Sequence, residues 1–148
     1  MKLSAMSRAK LEEFFRELRG EGSLRLPPVN VHSGRVLAWV MGRVGIDAIT
    51  LGRRVLVAPR RVRRGGVGSC AVSGGLMAHE VAHLLQAERA GLVPFLLAYL
   101  REYFSGMRRA PKWDAAAHWR AYSEISFERE ARAAERAYEA WRARRGKW

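Results

Sequence analysis

Apolar residues recur at helical spacing near the start of the chain. Within residues 7–19 they stand three and four positions apart, at Leu11, Phe14, Phe15 and Leu18. Charged residues occupy the remaining positions, so the pattern predicts an amphipathic helix with one face on the core. Gly20 and Gly22 provide the signal that ends it.

The next part of the chain has a different pattern. Residues 35–41, 46–51 and 55–58 are short, apolar and rich in β-branched side chains, and glycines and Pro59 separate them. This pattern predicts a small β-sheet, with turns at residues 42–45 and 52–53. Residues 63–75 contain mostly glycine, serine and arginine, so we expect a mobile loop there.

Helical spacing returns over residues 75–89, where Gly91 supplies a stop signal. A second helix is predicted from Pro94 through Phe104, ended by Gly106. A third helical region is expected over residues 111–145, with a break near residues 123–126. These elements predict an α+β fold, mainly helical with a small sheet. The length of the chain suits a single domain covering residues 1–148.

Composition adds an expectation about partners. The net charge is +13, and no acidic residue stands between Asp47 and Glu80. A nucleic acid or an acidic partner is therefore expected to bind at residues 53–64, with residues 142–147 as a second basic stretch. The alternative interpretation is that the positive charge reflects a general bias of the composition toward arginine and has no binding role. The start of the chain has no apolar signal-peptide core, so we expect a cytoplasmic protein.

The strongest chemical signal is the segment His79-Glu80-Val81-Ala82-His83 on the predicted helix of residues 75–89. Side chains four positions apart share a helix face, so both imidazoles can reach one metal ion. Glu80 is then placed to act on a water molecule as a general base. Because Cys70 is the only cysteine, the remaining ligand is expected to be a carboxylate or another histidine.

A catalytic zinc ion usually has three protein ligands, so a third ligand is expected further along the chain. The candidates are His118, Glu124, Glu128 and Glu130. Helical spacing places Glu124 and Glu128 on one face and Glu130 on another. Gln86, one turn beyond His83, is positioned to orient a ligand or the segment that carries Glu128.

The stretch from Leu76 to Gln86, with its His-Glu-x-x-His-x-x-Gln pattern, is followed by Phe127-Glu128-Arg129-Glu130-Ala131. Together they resemble the gluzincin metallopeptidases, and more narrowly the small bacterial zinc-peptidase-like domains. The resemblance covers roughly residues 49–134 and implies a minimal zincin-like fold. It also implies one Zn²⁺ held by His79, His83 and Glu128. Where membrane-bound gluzincins have an aspartate in Glu-x-x-Ala-Asp, this chain has Arg132. Either another group takes over that supporting role, with Glu124 and Glu130 as the candidates, or the site is weakened.

These features together predict a zinc-dependent metallopeptidase that cleaves peptide bonds with a zinc-activated water and Glu80 as general base. Tyr122 is the candidate hydrogen-bond donor to the developing oxyanion, as gluzincins and their relatives often place a tyrosine or histidine there. The alternative function is a metal-binding or interaction module without catalysis, associated with nucleic acid through its basic surface.

Overall fold

A computed structural model describes residues 2–34, 39, 47–64 and 69–146. In this part of the chain five helices and six short strands are formed. The strands are β1 (Lys2–Leu3), β2 (Asn30–His32), β3 (Ala48–Leu51), β4 (Arg54–Val57), β5 (Val62–Arg64) and β6 (Ser69–Val72). The helices are α1 (Ala5–Arg19), α2 (Gly74–Ala90), α3 (Leu92–Arg108), α4 (Ala115–Glu124) and α5 (Ser126–Arg145). The α+β class predicted from the sequence is confirmed.

The six strands form one mixed sheet in the order β3-β4-β2-β1-β6-β5. The hairpin predicted at residues 52–53 joins β3 to β4, and Gly52 adopts the positive φ of 58° that its tight turn requires. Parallel pairing then links β4 to β2 and β6 to β1. Among the described residues, β3 is therefore an edge strand of the sheet.

One apolar core joins the sheet to α1, α2 and α5. Phe14 and Phe15 of α1 meet the buried Tyr138 and Trp141 of α5, with the Phe14 and Tyr138 rings 5.2 Å apart. Helix α5 buries Ala131, Ala134, Tyr138 and Trp141, which recur at helical spacing. This packing fixes α5 against α2, so residues on their facing sides meet.

Two expectations about the elements were wrong. Gly106 does not end the second helix, because α3 continues to Arg108 and packs closely on α4. A Cβ atom on Gly106 would lie 2.9 Å from Ala121 Cα, so the absence of a side chain at Gly106 allows α3 and α4 to approach closely. Residues 63–75 are not simply a loop, since they contribute to β5, all of β6 and the first turn of α2.

Other expectations fall partly outside the described residues. The predicted strand at residues 35–41 and the turn at 42–45 lie there almost entirely, with only Trp39 described. The predicted break near residues 123–126 is confirmed, because α4 ends at Glu124 and α5 begins at Ser126. No helix among the described residues is long and apolar enough to cross a bilayer.

Candidate metal centre

Helix α2 presents two imidazoles to a single point. It begins at Ser73, whose hydroxyl accepts a hydrogen bond from the Leu76 amide, and it stays regular through the histidines. His79 and His83 lie one turn apart, and their Nε2 atoms are 3.2 Å from each other. Both residues are buried, so these nitrogens face the protein interior and each other.

The first turn of α5 brings a carboxylate to the same point. Oε2 of Glu128 lies 3.2 Å from His79 Nε2, and Oε1 lies 3.2 Å from His83 Nε2. Glu128 is only 2% exposed, as a residue of the core would be. The structure therefore brings together the three residues named as ligands from the sequence, and they form a group able to hold a metal ion.

Two polar side chains, Gln86 and Glu102, fix the position of Glu128. The amide of Gln86 donates to the Phe127 carbonyl at 3.1 Å, which ties α2 to the start of α5. Glu102 of α3 accepts hydrogen bonds from the backbone amide and the hydroxyl of Ser126, at 2.6 and 2.7 Å. This carboxylate caps α5 although it belongs to another helix, and the cap sets the position of the ligand two residues later.

The outer nitrogens of both histidines face acceptors. His83 Nδ1 lies 2.9 Å from the side-chain oxygen Oε1 of Gln86, and His79 Nδ1 lies 3.4 Å from Oε2 of Glu135. In the neutral imidazoles the proton is then on Nδ1, and the lone pair is on Nε2. This is the tautomer in which a histidine binds a metal through Nε2, with a hydrogen-bonded group behind it.

The same tautomers leave three acceptors facing one another. Oε2 of Glu128 is fully buried, and no hydrogen bond reaches it within the described residues, although His79 Nε2 is near. Converging lone pairs repel one another, and a cation between them relieves the repulsion. The ligand atoms of a tetrahedral zinc, with bonds of about 2.0 Å, stand about 3.3 Å apart. The observed 3.2 Å separations match that spacing.

Two tyrosines lie near the carboxylate of Glu128. Tyr99 of α3 donates a hydrogen bond to Glu128 Oε1 at 2.7 Å, and its ring lies 6.4 Å from that of His83. Burial, followed by the negative charge of Glu128, raises the pKa of Tyr99 well above its usual value. The same two causes raise the pKa of Tyr122. Both phenols therefore stay protonated and available as donors beside Glu128.

Glu80, on the same helix as the two histidines, contacts the sheet. The hydroxyl of Thr50, on the edge strand β3, donates to Glu80 Oε2 at 2.6 Å and lies 3.2 Å from the Glu80 carbonyl. Among the described residues, no hydrogen bond holds Oε1. Burial raises the pKa of Glu80, and the hydrogen bond from Thr50 opposes that rise. A carboxylate with a raised pKa is a better proton acceptor than an exposed one.

The imidazoles and Glu128 shift each other's protonation. Burial raises the pKa of Glu128, but hydrogen bonds that His79 and His83 donate when their Nε2 atoms are protonated outweigh it and hold that pKa well below its usual range. For His83, burial lowers the pKa while Glu128 raises it more, so the pKa lies above its usual value. The ligand carboxylate is thus ionised at neutral pH, as a metal ligand must be.

The other candidate ligands lie elsewhere. Glu124 and Glu130 are exposed and face arginines, at 3.9 Å from Arg109 and from Arg89 respectively. Neither supports the site, so the expectation that one of them replaces the missing aspartate was wrong. Glu135, two turns after Glu128, is the carboxylate that contacts a ligand histidine. His118 pairs instead with the hydroxyl of Tyr103.

Arg132 stands at the position where the membrane-bound gluzincins have an acid, and its contacts lie on α4. Its guanidinium lies over the rings of Trp119 and Tyr122, 5.3 and 5.4 Å from their centroids. One of its nitrogens is 3.4 Å from the Ser123 carbonyl. The arginine therefore packs α5 on α4 and leaves the support of His79 to Glu135.

Glu135, Tyr99 and Thr50 were not recognised as site residues from the sequence. Each reaches the site through tertiary packing, from a distant turn of α5, from α3 and from β3 respectively. Glu135 had one detectable signal, since it shares a helix face with Glu128 at a spacing of seven. Neither Thr50 nor Tyr99 had a signal in the sequence that pointed to the site.

The basic segment predicted to bind a polyanion is partly neutralised. Asp47 accepts hydrogen bonds from Arg60 at 2.5 Å and from Arg61 at 2.7 Å. Two of the six arginines in residues 53–64 are thereby paired within the chain. Binding of nucleic acid at this segment stays a prediction.

A family model described as the eCIS core domain matches residues 3–91 of the chain. The match spans more than half of the 148 residues, including all of the sheet except Lys2 and all of α2 with its two histidines. It ends before Glu128. No curated protein and no solved structure matches. The matching family is not described as a peptidase family, so the resemblance to gluzincins stays a prediction.

Proposed function

The chain belongs to the eCIS core domain family, and we propose that it is a zinc-dependent peptidase. The observation that carries the proposal is the buried group of His79, His83 and Glu128, whose lone pairs converge while Glu80 lies beside them. Two imidazoles and a carboxylate are the ligand set typical of catalytic zinc. The family name denotes an extracellular contractile injection system, which is a protein assembly, so the proposed substrate is a protein or peptide.

Each residue of the site has a proposed role. His79, His83 and Glu128 hold the metal, and Tyr99, Gln86 and Glu135 keep these three ligands oriented. Bound zinc supplies the Lewis acidity that activates water and polarises the scissile carbonyl. Glu80 accepts a proton from water through Oε1, while Thr50 holds Oε2 in place.

The proton held by Glu80 is then used in the cleavage of the peptide bond. As a C–O bond forms at the peptide carbonyl and the C–N bond breaks, Glu80 delivers the proton to the leaving nitrogen. Tyr122 is the proposed donor of a hydrogen bond to the carbonyl oxygen as negative charge develops there.

The edge strand β3 gives the substrate a place to bind. Thr50 of this strand contacts Glu80 directly, so a peptide paired with β3 passes beside the base. Extended peptides commonly bind by adding a strand to an exposed sheet edge. Leu51, at the end of β3, is 47% exposed and offers an apolar contact for a substrate side chain.

A second candidate is a metal-binding module without catalysis, and the burial of Glu80 favours it. Only 3% of Glu80 is exposed, so a substrate has little direct access to the base. In this reading the metal stabilises the contact between α2 and α5, and Glu80 is a buried acid held by Thr50.

Hydrolysis of a quenched fluorescent peptide library by the zinc-loaded protein separates the two candidates. We expect cleavage by the wild type and loss of cleavage in Glu80→Gln, with zinc content unchanged. Glu88→Gln is the matched control, because Glu88 is an exposed residue of the same helix. Absence of cleavage by the wild type at full zinc occupancy contradicts the peptidase and supports the non-catalytic module.

A further inference from the structure

Helix α3 carries an apolar stripe that no part of the described chain covers. It consists of Val93, Leu97, Leu100 and Phe104, which are 65, 63, 48 and 50% exposed. At 100° per residue, these four positions fall within about 60° around the helix axis. Their spacing of four, three and four residues is that of a coiled-coil seam.

The stripe lies on the side of α3 opposite the metal group. The inner face carries Phe95, which is buried beside His83, and Tyr99, which binds Glu128. Packing of the metal group therefore does not need the stripe. Monomeric proteins rarely leave a continuous apolar patch exposed without a partner for it.

The exposed charges that α3 itself places beside the stripe are positive, although Glu124 of α4 also stands near Arg101. Arg101 and Arg108 are exposed and stand seven residues apart along one flank. The only acidic residue of the helix, Glu102, is directed to the start of α5, where it binds Ser126. A partner thus meets an apolar seam edged by positive charge.

These features select among possible partners. A second copy of the chain would bring its own arginines and its net charge of +13 against the same flank. A helix that binds a membrane surface buries a wider apolar face than this narrow seam. We infer that the stripe is a docking surface for an amphipathic helix of another protein, with an apolar seam and acidic flanking residues.

Fluorescence anisotropy with a designed helical probe tests the inference. The probe is a labelled peptide of three heptads with leucine at the seam and glutamate on the flanks, and its comparator has lysine in place of glutamate. We expect saturable binding of the acidic probe and at least about tenfold weaker binding of the basic one. Leu97→Glu is expected to weaken the acidic probe by at least about tenfold.

Leu18→Glu is the matched control, because Leu18 is a 49% exposed leucine on a different helix, α1. It should leave binding of the probe unchanged. Arg101→Glu combined with Arg108→Glu should reverse the preference toward the basic probe. Circular dichroism verifies that each variant is folded.

Four results overturn the inference. The first is no saturable binding of the acidic probe, and the second is equal binding of both probes. The third is a wild-type dimer in sedimentation that Leu97→Glu dissociates, which assigns the stripe to a second copy. The fourth is binding to phosphatidylserine vesicles that Leu97→Glu abolishes while the acidic probe fails to compete, which assigns the stripe to a membrane.

Discussion

Oε2 of Glu135 lies 3.4 Å from Nδ1 of His79, at the back of the imidazole whose Nε2 faces Glu128. In a neutral imidazole this carboxylate favours the tautomer with the proton on Nδ1, which directs the Nε2 lone pair toward Glu128. This contact forms although Arg132 occupies the position where the membrane-bound gluzincins carry an aspartate. A second turn of the same helix therefore provides the missing group.

Replacing Glu135 with glutamine is expected to lower zinc affinity by about 10-fold to 100-fold, the usual effect of losing a group that orients a ligand. The amide can present its nitrogen to Nδ1 and disturb the tautomer. Competition titration with a zinc-sensitive chelator measures the affinity. Glu139→Gln, four residues along the same helix and beside Arg142, is the control. Equal affinities for the two variants would show that Glu135 has no part in the site.

Tyr99→Phe removes only the hydroxyl that donates to Glu128 Oε1. We expect a zinc affinity reduced by about tenfold with little change in the fold, because the ring still packs beside His83 and Phe95. The same chelator competition applies, and Tyr103→Phe serves as the control, since Tyr103 pairs with His118 away from the metal group. An unchanged affinity in Tyr99→Phe would exclude the proposed support of the carboxylate.

Gly106→Val tests the contact between α3 and α4. A Cβ atom at this position would lie 2.9 Å from both Cα and Cβ of Ala121, so the helices must separate. We expect a loss of about 2 kcal/mol in the free energy of unfolding, within the range for overpacked contacts. Urea denaturation measures it. Gly22→Ala, where no atom lies within 4 Å of the added Cβ, should change stability by less than about 0.5 kcal/mol.

Asp47 gives the stability a defined pH dependence. Hydrogen bonds from Arg61 lower the pKa of Asp47, with Arg60 adding to the effect. The pKa of Asp47 in the folded protein is therefore below the unfolded value near 4. The stabilisation that ionised Asp47 provides is present above pH 4 and is lost as the pH falls through the folded pKa. We expect Asp47→Asn to cost up to about 1 kcal/mol at pH 7, after solvent screening, and to cost less at pH 2.5. Urea midpoints at both pH values provide the comparison, and an equal cost at each would refute the assignment.

Local patterns predicted much of this fold. The periodicity of Leu11, Phe14 and Phe15 is enough for α1, and the two histidines four residues apart are enough for a metal-binding helix face. Strands β1, β2, β5 and β6 were not predicted, because they are two to four residues long. They form through pairing with other strands, as Lys2 does with the distant Ser69. So short a segment has no periodicity of its own.

The residues of the site also divide into those that local sequence predicts and those that depend on tertiary packing. His79, Glu80 and His83 follow from one helix, and Glu128 followed from a resemblance to a known motif. Thr50 and Tyr99 depend on where β3 and α3 pack, which sequence spacing does not encode. Gly106 shows the reverse case, where a residue that normally ends a helix is retained inside one to allow close contact with Ala121.

Zinc content tests the central claim most directly. Protein purified without chelator, dialysed against metal-free buffer and measured by inductively coupled plasma mass spectrometry should contain one zinc per chain. Glu128→Gln should retain much less, because it removes a charged ligand while His79 and His83 remain. Wild-type protein that stays well below one zinc per chain after incubation with excess zinc, or equal zinc content in Glu128→Gln, would contradict a metal site at these three residues.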